Sequence, residues 1–212
     1  MNLRKTLPIL LSGLCVLGSA HAAPEWPGKA IRVVVPFAVG SFTDTAARVV
    51  GSELSKQLGQ PVIVENRGGA GSTIGTEVVA RAEPDGYTFL VTDNSFPISA
   101  ALYPKLSYDA AKDFAPISLL AESPAILLAR ANFPEKTLGA TLGLARSQPG
   151  KLTFGSGGAG SSAHLAMELL MLQANVKFTH VPYKGVAAAL VDIAAGTIDL
   201  GFSSVGSATP YI

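Results

Sequence analysis

The chain has 212 residues but only one cysteine, one tryptophan and three histidines, and charged residues make up 15% of it. The single cysteine, Cys15, sits in a short apolar run from Leu7 to Ala20 behind a positive pair, Arg4 and Lys5. Ala20-His21-Ala22 then fits a small-x-small cleavage site, so residues 1–22 read as a secretory signal peptide, and the run is short for a membrane span. Leu14 is bulky where a lipoprotein site carries a small residue, which leaves Cys15 as part of the apolar run. Cleavage would remove Cys15, and with it any disulfide, thiolate metal site or cysteine nucleophile. It would also remove Arg4 and Lys5 from the 16 basic residues, leaving 14 against 15 acidic ones, a balance of −1. A near-neutral surface argues against nucleic acid or an anionic membrane as the main partner. Export to the periplasm follows from the signal, and free nucleotides are scarce there.

Catalytic patterns are missing too. There is no G-x-S-x-G elbow, no H-E-x-x-H, no zinc spacing and no calcium loop. His164 and His180 each stand alone in sequence, and a lone histidine lacks the partner that nucleophilic catalysis requires. No cofactor or metal is expected.

What the sequence does have is alternation. Ile31 to Pro36 reads as a buried strand, and Ala46, Val50, Leu54 and Leu58 form a helical stripe whose start Thr43 or Asp44 can cap. Val62 to Val64 and Tyr87 to Val91 read as the next strands, separated by "NRGGAGS" (66–72) and a helix through Ile74, Val78 and Val79. This order predicts a parallel sheet with helices on its faces. The second half repeats it: strands at Ala125–Ala129, Leu152–Phe154, Lys177–Val181 and Ile198–Phe202, with helices at Leu138–Ala145, His164–Leu172 and Val186–Ala195. Two α/β units across a cleft, with a crossover at about 114–124, is the expected architecture. Ligands of open α/β sheets bind beyond the carboxyl ends of strands, which selects the loops after Pro36, Val91, Phe154, Val181 and Phe202.

The loop "TFGSGGAGSSAHL" (153–165) satisfies two nucleotide patterns. Gly155, Gly157 and Gly160 spell G-x-G-x-x-G, while Gly155 to Ser162 mimics a P-loop with Ser161 in the lysine's place. The next strand ends in Thr179-His180-Val181-Pro182-Tyr183-Lys184 without the acid that holds a ribose, and Ser161 cannot supply the lysine's charge. The element common to both patterns survives: a glycine-lined helix start whose free N–H groups attract an anion. "PFAVGSFTD" (36–44) has the same strand–loop–helix form. Two such starts facing a cleft suit a small carboxylate; the alternative is that both are only caps and turns.

Five blocks carry a wider likeness: "PGKAIRVVVPFAVGSFTD", "LGQPVIVENRGGAGSTIGTEVVARAEPDGYTFL", "ALYPKLSYDAAKDFAPISLLA", "QPGKLTFGSGGAGSSAHLAMELL" and "HVPYKGVAAALVDIAAGTIDLGF". Over essentially the whole mature chain they resemble the Bug receptors, the periplasmic solute-binding proteins of tripartite tricarboxylate transporters. The resemblance implies a periplasmic-binding-protein (Venus-flytrap, type II-like) α/β fold with two lobes, 23–120 and 121–212. It implies a monomer without catalysis, a small carboxylate ligand (di- or tricarboxylate, acidic amino acid or aromatic acid) and a two-component membrane permease as partner. The matching binding positions are Phe37, Gly40, Ser41, Thr43 and Asp44 in the first loop. In the second lobe they are Gly155, Ser156, Gly157, Gly160, Ser161, Ser162, His164 and the turn Pro182, Tyr183, Lys184, Gly185. Asn94 in the loop 92–96 and Ser203 complete the wall. Family members usually carry PFPPGGGTD in the first loop, so Phe42 here would narrow or line the pocket. They also run well beyond Ile212, which makes the chain read as a C-terminally incomplete version of the fold. Two other roles stay open at this point, a periplasmic hydrolase or lyase on a related acid, and a ligand-sensing partner of a membrane signalling protein.

Overall fold

The computed structural model describes residues 26–212, so the expected signal peptide lies outside the described residues. Two sheets form the frame. In the first, β1 (Ile31–Val35) lies between β2 (Val62–Asn66) and β3 (Thr88–Leu90), all parallel, with Val33 opposite both Val64 and Phe89. The second has the order β4-β7-β5-β6, from β4 (Ala125–Ala129), β5 (Thr153–Ser156), β6 (Thr179–Pro182) and β7 (Leu200–Ser204). Here β5 runs parallel to β6 and β7, while β4 pairs antiparallel to β7, with Ala125 opposite Ser204. The second half therefore does not simply repeat the first: β4 is an edge strand running the other way. Its apolar run carries no mark of direction, which only the extended approach through 114–124 decides.

Helices α1 (Phe42–Leu58) and α2 (Thr73–Ala80) follow β1 and β2, and α3 (Ser95–Leu102) follows β3. Helices α4 (Leu138–Ser147), α5 (Ser162–Ala174), α6 (Val186–Ala194) and α7 (Val205–Ala208) belong to the second half. The caps are where local sequence acts most directly. Ser41, extended at φ −68° and ψ 158°, caps α1 by accepting from the Asp44 N–H, so neither Thr43 nor Asp44 is the cap. Gly59 closes the same helix at φ 67°, the left-handed stop that favours glycine.

The two cores are unequal. Phe154, Met167, Leu200, Phe178 and Phe133 are buried together on one side of the second sheet. The first sheet buries Ile31, Val33, Val35, Phe37 and Ala47 with Leu58 packed against them, but the stripe Ala46, Val50, Leu54 and Leu58 also lines an open cavity. Phe114 bridges Phe96 and Tyr108 edge-to-face, with centroids 5.1 and 5.7 Å apart, and anchors the crossover. Among the described residues no helix is long and apolar enough to cross a membrane.

Candidate functional site

One local module recurs at the carboxyl ends of β1 and β5. A left-handed glycine (Gly40, φ 84°; Gly160, φ 82°) turns the chain, and the next serine caps a helix. The cap bonds match: Asp44 N–H to Ser41 Oγ at 3.2 Å, His164 N–H to Ser161 Oγ at 3.3 Å. Each serine satisfies one of the first-turn donors, and a helix has four of them without intrahelical partners. The remainder is what an anion can use.

Asp44 does not join that donor set. Its carboxylate is buried and accepts from Gly40 N–H at 3.0 Å and Asn66 Nδ2 at 2.9 Å, with Arg48 also 2.9 Å away. Burial alone would raise its pKa, but the bonds from Arg48, Gly40 and Asn66 outweigh it and hold the carboxyl below its ordinary range. Asp44 is the brace of the first loop.

The loops of the two sheets meet. Ser162 N–H donates to Ser95 Oγ at 3.2 Å and its hydroxyl to Asp93 Oδ2 at 3.3 Å. Tyr103 donates to the Ala159 carbonyl at 3.2 Å, and Ser207 to the Gly40 carbonyl at 3.4 Å. Gly71, left-handed at φ 60°, lies so close to the Ala159 carbonyl that a Cβ there would collide with it. Between the sheets opens a cavity of about 1950 Å³, continuous with the apolar space beside the first sheet. Thr92 and Ser203, at the ends of β3 and β7, line it, and both have buried hydroxyls without a hydrogen-bond partner. An unpaired buried hydroxyl costs roughly 1–3 kcal/mol, which marks both as groups that a ligand can satisfy.

Residues 46–212 match the family described as "Tripartite tricarboxylate transporter family receptor". The chain belongs to this receptor family. It is 33% identical over 218 residues to Protein BugT of Bordetella pertussis, covering all of this chain and 66% of that protein. It is 40% identical over 188 residues to a UPF0065 protein from the tcbD-tcbE intergenic region of Pseudomonas sp. (strain P51), covering 89% and 56%. Among solved structures it superposes on the periplasmic binding protein BugD with a TM-score of 0.84 at 35% identity, covering 88% of this chain and 62% of BugD. MatC from Rhodopseudomonas palustris with bound malate matches with a TM-score of 0.80 at 38% identity, over 87% and 63%. An R. palustris protein with adipate matches at 0.83 and 33%, over 88% and 62%. The fold is therefore the α/β periplasmic-binding-protein fold, of which the chain spans between 56% and 66% of the length of these relatives.

Within this receptor chain the sequence-selected residues divide. Phe37, Ser41, Thr43, Asn94, Gly157, Ser161, Ser162 and Ser203 line the cavity, together with Phe42, Thr92 and Asp93. Gly40, Asp44, Gly155, Ser156, Gly160, His164, Pro182, Tyr183, Lys184 and Gly185 do not, and their positions give reasons. Tyr183 spends its hydroxyl on Asp192 Oδ2 at 2.5 Å, and burial, then that bond, pushes its pKa up to about 12. Lys184 is exposed, and Gly185 packs against Ala38, where a side chain would not fit. Gly155 and Ser156 are buried strand residues.

His164 and His180 meet, which no spacing in the sequence revealed. Their rings stack with centroids 4.3 Å apart, and His180 stacks in turn on Phe154 at 4.7 Å. His180 Nε2 lies 2.7 Å from Ser156 Oγ. Burial, then the neighbouring His164, lowers the His180 pKa to about 4, so it is neutral near neutral pH. The Ser156–His180 pair has the spacing of a nucleophile and base, but Ser156 is fully buried and off the cavity. Among the described residues no group of three His, Cys, Asp or Glu side chains could hold a metal.

Proposed function

We propose that the chain is the exported solute receptor of a tripartite tricarboxylate-type transporter. It captures a small carboxylate between two lobes, residues 23–120 and 121–212, and passes it to a two-component membrane permease. The supporting observation is the cavity itself. Two glycine–serine helix starts, α1 and α5, and two unpartnered hydroxyls, Thr92 and Ser203, open onto the same space. Backbone donors and neutral hydroxyls hold a carboxylate without a basic side chain. Related chains that bind malate and adipate share the fold, and their family gives the periplasm as the location. A hydrolase or lyase reading lacks support in the geometry. The Ser156–His180 pair is sealed from the cavity, and a His with a pKa near 4 is a weak base at neutral pH.

A thermal-shift screen of the protein against small carboxylates tests this reading. A true ligand at a hundred times its Kd adds about 2.7 kcal/mol of stability, a clear upward shift in Tm. If no carboxylate shifts the melt, the reading fails. If an alanine at Ser161 abolishes turnover of an acid, the protein is an enzyme after all.

A further inference from the structure

The charges around the cavity are all of one sign. Among its lining residues there is no lysine, arginine or histidine, while Glu83, Asp93, Asp113 and Glu122 contribute carboxylates. Only Asp93 stands at the helix starts. It follows β3 and has one oxygen on the Ser95 N–H at 2.8 Å and the other on the Ser162 hydroxyl at 3.3 Å. It thus already supplies a negative charge at the start of α5, where the Ser162 N–H is also taken by Ser95. Asp44, the acid at the start of α1, is braced by Arg48. Asp93 has no such cation: among the described residues no basic side chain lies within ion-pair distance of it.

Two ends of the cavity therefore differ. At the α1 end, the first-turn N–H groups of Phe42 and Thr43 belong to a 17-residue helix whose dipole favours a carboxylate. Ser203, 4% exposed and with its hydroxyl unpartnered, adds a donor on the cavity wall, on the strand that leads into α7, whose Ser207 donates to the Gly40 carbonyl before α1. At the Asp93 end, a ligand meets the Thr92 hydroxyl, which can donate or accept, beside a carboxylate whose charge no protein cation balances. A second carboxylate there would face like charge in a site of reduced dielectric, whereas an ammonium group would be attracted.

We propose that the cleft selects a monocarboxylate carrying a hydrogen-bond donor, an ammonium group above all, over di- and tricarboxylates, and that Asp93 is the residue that sets this choice. The proposal rests on the receptor reading above, and it narrows the ligand class. Phe37 and Phe42 line the same cavity and offer apolar surface to the body of such a ligand.

The test is calorimetric titration of the full chain with two matched trios. One is propanoate, L-alanine and methylmalonate; the other is 3-phenylpropanoate, L-phenylalanine and benzylmalonate. Within a trio only the second polar group changes, from none to ammonium to carboxylate. The wild type should bind the amino acid tightest and the diacid weakest. Asp93→Asn should weaken the amino acid at least tenfold relative to the plain acid and improve the diacid. A wild type that prefers the diacid in either trio overturns the proposal while leaving a carboxylate receptor intact. So does an Asp93→Asn variant with an unchanged ranking. Should the variant fail to fold, the wild-type ranking alone decides. If none of the six binds, the proposal falls, and the broader carboxylate screen then judges the receptor reading separately.

Discussion

The Gly160 N–H donates to His164 Nδ1 at 3.2 Å, so the glycine loop reads which nitrogen of the imidazole carries its proton. The bond requires a bare Nδ1, which places the proton on Nε2, 3.4 Å from Glu168 Oε1. The ring of His164 also stacks on that of His180.

Acid should weaken the fold through His180. The His180 pKa is about 4 in the fold, against 6.5 ordinarily. Between those values the unfolded chain binds more protons than the native one, so stability is full above about pH 6.5 and falls as pH drops toward 4. The loss should be on the order of 2 kcal/mol, after allowing for partial solvent screening. Urea titrations from pH 7 to 4.5 measure it. His180→Phe, which keeps a ring on Phe154 and removes the titrating group, should flatten the dependence; an unchanged slope would show that the histidine is not responsible.

Asp44 predicts a different acid limit. Its pKa is lowered, so the stability it confers is present above the ordinary carboxylate range and is lost as pH falls through the lower folded value. Asp44→Asn releases Gly40, Asn66 and Arg48 together and should cost roughly 3 kcal/mol, since it dismantles a buried charge network. Ser41→Ala, one residue after that glycine, removes a single cap bond and should cost only about 1 kcal/mol. Chemical denaturation of the two variants separates a brace from a cap; equal losses would contradict that division of roles.

These residues also show how far the sequence could be read. Apolar runs and glycine–serine starts made β1, α1, β5 and α5 legible, because strand burial and helix capping are local physics. The choice of Ser41 over Thr43 or Asp44 was not legible, since all three can cap and only the backbone angle at Ser41 and the pull of Asn66 on Asp44 decide. Helix α3 went unread because Pro97 and two serines hide eight helical residues. The stacking of His164 on His180 joins positions 16 residues apart through a sheet register that periodicity does not encode.

Closure should depend on Gly71. Its φ of 60° already strains any side chain, and a Cβ would strike the Ala159 carbonyl on the opposite sheet's loop. Gly71→Ala should weaken ligand binding at least tenfold, an energy of about 1.4 kcal/mol, because the two loops can no longer approach. Gly139→Ala is the control. It lies in α4 with nothing within 4 Å of the added Cβ, so it should stabilise the fold by about 0.5–1 kcal/mol and leave binding alone. Titration calorimetry on both variants gives the contrast, and equal affinities would place closure elsewhere.

The open side of the first sheet makes the last prediction. Ile117 and Leu119 are 77% and 73% exposed, and with Leu54, 38% exposed, they border the apolar extension of the cavity. A patch of this kind on an isolated chain binds hydrophobic dyes and promotes association. Among the described residues the first sheet has three strands, with β2 and β3 as free edges, which adds to that tendency. The chain spanning residues 26–212 should therefore bind anilinonaphthalene sulfonate strongly and melt early, with the second sheet outlasting the first. Ile117→Ser and Leu119→Ser together should cut dye binding at little cost in stability, because neither side chain is buried to begin with. Hydrogen exchange locates the weak half: faster exchange at β4–β7 than at β1–β3 would overturn this ordering, because the larger core around Phe154 and Met167 should hold longest.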